Sequence, residues 1–182
     1  MTIRTILSTA LPAAALALAL GLPLGLPLGL PAAAQQTDHT VASTDEAGLR
    51  LDAEGKPTFE VQEDGTVDWF TFSGFRRYHA ECHVCHGPDG EGSSYAPALK
   101  DSAINLDYYE FAGIVAGGVQ NVGASETNVM PGFATNPNVM CYLEDIFVYL
   151  RARGAEEVAR GRPAKKERKS EAYAAREDDC MG

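Results

Sequence analysis

Basic side chains are scarce through most of this 182-residue chain. Residues 35–150 hold 5 Lys and Arg against 18 Asp and Glu, a net charge of −13. Such a surface repels phosphate backbones, which argues against a nucleic-acid role. Long apolar runs are missing after residue 34, so no later stretch spans a bilayer. Sulfur is sparse as well: there are four cysteines and four methionines, and two of the methionines, Met1 and Met181, are terminal. Outside the first segment there is no internal repeat.

The first segment differs in kind. Met1 and Arg4 give a small positive start, and an Ala/Leu-rich run follows from Ile6. Leu-Gly-Leu-Pro occurs three times over residues 20–31, and Pro31-Ala32-Ala33-Ala34 forms an A-x-A pattern before Gln35. Residues 1–34 read as a secretory signal peptide, and the protein as an exported one. A retained membrane anchor is the rival. It is opposed by Pro23, Pro27 and Pro31, each costing a helix interior about 3 kcal/mol. Removal leaves 148 residues (182 − 34), an ordinary size for one domain. That remainder has 14 basic and 25 acidic residues, a net charge of −11. Its charge is uneven, since residues 151–182 carry 9 basic and 7 acidic residues. A basic patch there comprises Arg160, Arg162, Lys165, Lys166, Arg168 and Lys169.

The pattern predicts a mainly α protein. Residues 35–68 read as an extended N-terminal arm with a short turn or strand at Thr58–Gln62. A first helix begins near Ser73, whose hydroxyl suits an N-cap, and runs to Cys82. Gly87 to Ser102 is Gly- and Pro-rich and reads as a loop. A second helix covers Leu106–Ala116, with Leu106, Tyr109 and Ile114 on its apolar stripe, and Gly117-Gly118 ends it. Met130-Pro131-Gly132-Phe133 lies in an irregular loop reaching Pro137. The strongest helix runs from Asn138 to Arg153, stopped by Gly154. Residues 69–154 then form the main domain. Residues 155–182 form a polar tail, low in apolar content and read as partly disordered.

Cys82-His83-Val84-Cys85-His86 is the chemically telling run. C-x-x-C-H is the pattern of covalent c-type haem attachment. Two thiols three positions apart on a helical turn reach the two vinyl groups of one haem. The next residue then lies beneath the iron, where its imidazole is an axial ligand. A zinc knuckle would need a second ligand pair at matching spacing, and none exists. A thioredoxin-type redox pair would sit in a βαβ context, which is missing. One motif implies one haem, with Cys82 and Cys85 as its covalent attachments and His86 as proximal iron ligand.

With these residues in place, the sequence resembles the class I c-type cytochromes. Gly74 and Tyr78 precede Cys82 by eight and four residues. In that fold such a pair meets the C-terminal helix, here offering Ile146, Phe147, Tyr149 and Leu150. The implied fold is helices and loops wrapped around one covalently bound haem. Ala96-Pro97-Ala98-Leu99 resembles the family's Pro-x-Leu segment. The resemblance implies that the Pro97 carbonyl accepts the Nδ1 hydrogen of His86 and that Leu99 packs on the haem face. Met130, 44 residues after His86, opens a Met-Pro-Gly-Phe run that looks like the family's methionine-ligand loop. It is the expected distal ligand, while Met140, at a helix start, reads as a core methionine. His39, His79 and His83 are alternatives in principle, the last two being too close to the attachment turn to reach the opposite face. A thioether ligand raises the potential and closes the iron, which suits an electron carrier rather than an enzyme.

Two cysteines remain, Cys141 and Cys180, an even number for an oxidising compartment. An intramolecular disulfide would pin the tail to the start of the last helix and stabilise by about 3–4 kcal/mol in the chain-entropy model. Two free thiols, or an intermolecular link through Cys180, are the alternatives.

A narrower resemblance runs from about Trp69 onwards. Phe72 to Glu81, Ser94 to Asp101, Asn128-Val129-Met130-Pro131 and Val139-Met140-Cys141-Tyr142-Leu143 resemble the four-cysteine cytochromes linked to methanol metabolism. The haem motif itself does not point to methanol. The resemblance implies a periplasmic acceptor of single electrons from a PQQ-dependent, particularly lanthanide-dependent, methanol dehydrogenase, passing them to a downstream cytochrome c or oxidase. A general periplasmic shuttle for another dehydrogenase is the alternative, and a haem sensor or enzyme with an open iron site is a third reading.

Overall fold

The computed structural model describes residues 39–122 and 127–182; the segment read as a signal peptide lies outside the described residues. The N-terminal arm is more structured than its polar sequence suggests. Three two-residue strands, β1 (Ser43–Thr44), β2 (Arg50–Leu51) and β3 (Pro57–Thr58), form an antiparallel sheet in that order. The turns between them are closed by side chains, as where Asp52 Oδ1 accepts from the amides of Glu54 and Lys56. A fourth strand, β4 (Thr66–Val67), leads to the first helix.

Helix α1 spans Trp69–Glu81, four residues earlier than the Ser73 cap predicted. Asp68 is the true cap: Oδ1 accepts from Thr71 N at 2.8 Å and Oδ2 from Thr71 Oγ1 at 2.6 Å. Oδ2 also accepts from Glu60 N at 2.9 Å, so one buried carboxylate both starts the helix and ties the arm to it. Ser73 lies inside the helix, and its hydroxyl meets Tyr173 instead.

A short helix α2 (His83–His86) follows, then a 3₁₀ turn at Pro88–Gly90. The predicted loop to Ser102 is cut short by α3 (Leu99–Asn105). Helix α4 runs Tyr108–Gly117, fixed by a capping box: Asp107 Oδ1 accepts from Tyr109 N, and Glu110 Oε2 accepts from Asp107 N. That box explains why it begins after Leu106. Strands β5 (Val119–Val122) and β6 (Thr127–Met130) then form a hairpin, with Val119 opposite Met130. Met130 therefore ends a strand rather than sitting in an irregular loop.

The predicted last helix is two helices, α5 (Pro137–Met140) and α6 (Leu143–Gly154). Tyr142 leaves helical geometry at φ −125°, ψ 22°, at a junction held by the Cys141–Cys180 bond and by Arg77 stacked 3.4 Å from the Tyr142 ring. Gly154 is not a left-handed cap. A Cβ there would fall 2.3 Å from Lys100 O, so the glycine lets α3 and α6 touch. The left-handed residue after the helix is Glu156, at φ 63°.

The centre of the fold is the crossing of α1 and α6. A Cβ on Gly74 would lie 1.8 Å from Asp145 O, so only glycine allows this approach. Tyr78 and Tyr149 meet there with ring centroids 5.8 Å apart, a contact worth about 0.5–1.5 kcal/mol beyond burial. Phe70, Ile146, Phe147, Val148 and Leu150 fill the rest of the core.

The tail, read as partly disordered, is folded over the molecule. Strand β7 (Lys165–Lys166) pairs in parallel with β4, and helix α7 (Glu171–Met181) is capped by Ser170. Tyr173 is only 3% exposed. The basic patch is largely spent inside the chain: Arg162 lies over Phe72, Lys166 over Trp69 and Phe72, and Lys169 over Tyr173. Lack of apolar residues misled the sequence reading because cation–aromatic contacts and a disulfide substitute for them.

Candidate functional site

Helix α1 delivers Cys82 at its C-cap, where the amide donates to Tyr78 O at 2.9 Å. His86 N then donates to Cys82 O at 3.0 Å, so Cys82, Cys85 and His86 share one helical turn. Neither Cys82 nor Cys85 is in a disulfide; Cys82 is half-buried and Cys85 exposed. Burial, with Glu81 and Cys85 nearby, pushes the Cys82 thiol up to about 12.

His86 is 6% exposed and held from several sides. The Tyr78 hydroxyl donates to His86 O at 3.1 Å and to Gly87 O at 2.6 Å. Gly92 N donates to His86 O at 2.8 Å. Gly87 takes φ 71°, and a Cβ there would fall 2.1 Å from Gly92 O, so the sharp turn requires glycine. His86 Nδ1 lies 2.9 Å from Pro97 O. A carbonyl only accepts, so Nδ1 carries the hydrogen and the lone pair on Nε2 is left for a metal. Ser93 Oγ donates to Cys85 O, fastening the Cys82–His86 turn to the segment that brings back Pro97.

Leu99 is half-buried at the start of α3, and Met130 is half-buried at the end of β6. The β6 end is seated closely: a Cβ on Gly118 would lie 2.5 Å from Met130 O. Met140 is half-buried at the end of α5. The other histidines are engaged locally. His79 Nδ1 donates to Phe75 O at 2.8 Å, and His83 Nδ1 donates to His79 O at 2.9 Å. His39 Nδ1 lies 3.1 Å from an Arg151 terminal nitrogen. Cys141 and Cys180 are joined by a disulfide.

Sequence reading overlooked Asp89 and its neighbours. Asp89 is 5% exposed, at φ 57° in the turn just after His86. Arg153 reaches the same turn, donating to Asp89 O at 3.3 Å and to Glu91 Oε1 at 2.7 Å. The Pro88-Asp89-Gly90 run was a turn signal that marked the place but not the partners.

The donor set decides what the site holds. Among the described residues no group of three or more His, Cys, Asp or Glu could hold a metal ion. The His86 imidazole alone could hold only a metal that brings most of its own donors. The two free thiols on one turn, with His86 directly after, fit haem and not a bare ion.

No family model matches the chain. Cytochrome c-553I of Paracoccus denitrificans is 57% identical over 136 residues, covering 75% of this chain and 60% of that relative's length. Cytochrome c-555 of Methylococcus capsulatus is 32% identical over 123 residues, covering 67% of this chain and 90% of the relative. Among solved structures, c-type cytochrome XoxG from Methylobacterium extorquens AM1 is similar at a TM-score of 0.72 and 56% identity, over 78% of this chain and 86% of that one. A shared fold, a C-x-x-C-H turn at its centre and relatives that are cytochromes c lead to one conclusion: the chain belongs to the class I c-type cytochromes, electron carriers that hold haem c covalently.

Proposed function

We propose that this cytochrome is a periplasmic carrier that accepts single electrons from a PQQ-dependent methanol dehydrogenase and passes them to a downstream cytochrome c or oxidase. The observation that carries the reading is the four-cysteine arrangement: one attachment turn at Cys82–Cys85 and one disulfide, Cys141–Cys180, in a chain 56% identical to cytochrome XoxG. That arrangement, with the segments around Met130 and Cys141, resembles the cytochromes linked to methanol metabolism.

In this reading Cys82 and Cys85 bond the haem, His86 is the proximal ligand, and Met130 is the distal one. Pro97 holds the His86 ring by its Nδ1 hydrogen, and Leu99 packs beside the haem. Bound haem supplies a one-electron ferric/ferrous couple. The chain's own part is to fix the ligands so that little rearranges when the charge changes. Tyr78, Gly92 and Pro97 do this on the proximal side, and the hairpin end does it for Met130. The acidic body suits a partner with a basic docking face, and a weak, charge-steered contact allows rapid release. No helix among the described residues is long and apolar enough to cross a membrane.

The test is stopped-flow reduction of the ferric protein by a purified quinoprotein methanol dehydrogenase with methanol, over a salt series. Fast reduction that slows as salt rises is expected. Reduction no faster than by an unrelated quinoprotein dehydrogenase would favour the general shuttle.

A further inference from the structure

The turn after His86 is fastened far more strongly than a surface turn requires. Asp89 Oδ1 accepts from Gly161 N at 3.0 Å and from the Tyr149 hydroxyl at 3.3 Å. His79 Nε2 lies 3.3 Å from the same oxygen, and Arg160 Nε lies 3.5 Å from Oδ2. The Asp89 carbonyl accepts from Arg153 Nε. One residue thus gathers α1, α6 and the C-terminal segment. Burial opposes its charge, but the Gly161 amide, His79, Arg153 and Tyr149 outweigh it and hold the carboxyl below its ordinary value.

This residue sits on a closed circuit. His86 O accepts from Gly92 N, Gly92 lies against Pro97 and Ala98, and Pro97 O accepts from His86 Nδ1. Both ends of the His86–Pro97 hydrogen bond therefore belong to the loop that Asp89 pins. A left-handed aspartate in a tight turn has a bland explanation, since short polar side chains tolerate that geometry. Local tolerance does not account for a carboxylate turned inward to partners 60 and 72 residues away.

We propose that Asp89 is a positioning residue for His86: held by Tyr149 and by Arg160–Gly161 of the C-terminal segment, it sets the His86–Pro97 hydrogen bond and through it the haem potential. The inference rests on His86 being the proximal ligand. A shorter bond to Pro97 makes the imidazole more basic and favours ferric iron, so loosening the turn raises the potential.

Two variants of the holoprotein separate position from charge. Asp89→Asn removes the charge but keeps an acceptor for Gly161 and Tyr149. Asp89→Gly keeps the left-handed backbone and removes the side chain. The readouts are the midpoint potential and the exchange rate of the iron-shifted His86 Nδ1 hydrogen by NMR. Asp89→Gly is expected to exchange about tenfold faster, the loss of roughly one hydrogen bond's hold, and to raise the potential beyond Asp89→Asn. Equal potentials in the two variants with unchanged exchange would overturn the inference, leaving Asp89 as a charge only. Should Asp89→Gly fail to accumulate with haem, Tyr149→Phe removes one donor without changing charge. Faster exchange there supports the inference, and unchanged exchange overturns it. Absence of any iron-shifted His86 ring signal in the unsubstituted protein overturns the ligand reading itself, an outcome distinct from unchanged exchange.

Discussion

The Tyr173 hydroxyl donates to Asp145 Oδ2 at 2.5 Å, deep beneath the C-terminal helix. Ser73 Oγ lies 2.9 Å from the same hydroxyl, so α1, α6 and α7 meet at three polar atoms. Asp145 is 1% exposed, and burial raises its pKa from 3.8 to about 7 against the pull of Ser73 and Tyr173. Asp68 adds to the rise and Arg77 opposes it. A carboxyl raised in the folded state contributes stability that is complete below the unfolded value of 3.8 and is lost as pH climbs through about 7. Urea midpoints should therefore fall between pH 5 and pH 8, and Asp145→Asn should flatten that fall. Equal slopes in the two proteins would refute the assignment. Tyr173→Phe should cost about 1–3 kcal/mol, since it strands a buried acceptor.

The disulfide gives a second prediction. Cys141 and Cys180 are 39 residues apart, and loss of the link by Cys180→Ser should cost about 3–4 kcal/mol in the chain-entropy model. Mass spectrometry of the non-reduced protein should find one peptide pair joined through these residues. Alkylation of both without prior reduction would contradict this.

Two methionines are compared in a third. Met130→Ala should abolish the weak far-red iron–thioether band, admit carbon monoxide and lower the potential. Met140→Ala should keep the band and cost about 2–3 kcal/mol of packing. The opposite outcome would move the distal ligand to Met140.

The helix crossing supplies the fourth. Gly74→Ala places a methyl 1.8 Å from Asp145 O, and backbone cannot yield as a side-chain tip can. A loss of about 3 kcal/mol or more is expected in denaturant unfolding. A change within 0.5 kcal/mol, the range of an ordinary surface substitution, would show that the two helices separate easily.

What could be read from the sequence follows distance along the chain. The C-x-x-C-H run is local, so five consecutive residues were enough to place Cys82, Cys85 and His86 on one helical turn. The approach of His86 to Pro97 spans only eleven residues and came with the family resemblance. The meeting of Gly74 and Tyr78 with α6 came with the same family resemblance. Asp89 was overlooked because its partners, Tyr149 and Gly161, are distant and none has a periodic signature. The start of α1 was misplaced because Ser73 is an adequate cap in isolation, whereas Asp68 also satisfies Glu60 N. The tail was misread for the reason that its apolar residues are few: Tyr173, cation–aromatic contacts and the disulfide together do what a stripe of leucines usually does.

The closure by α7 also has an order in time. A chain is made from its N-terminus, so the C-x-x-C-H turn at residues 82–86 is finished long before Tyr173 and Cys180 exist. Until they arrive, Ser73 and Asp145 lack their shared hydroxyl and Cys141 lacks its mate. The tail is thus the last part of the chain to be made, and the contacts that tie α1 and α6 to α7 all wait on it.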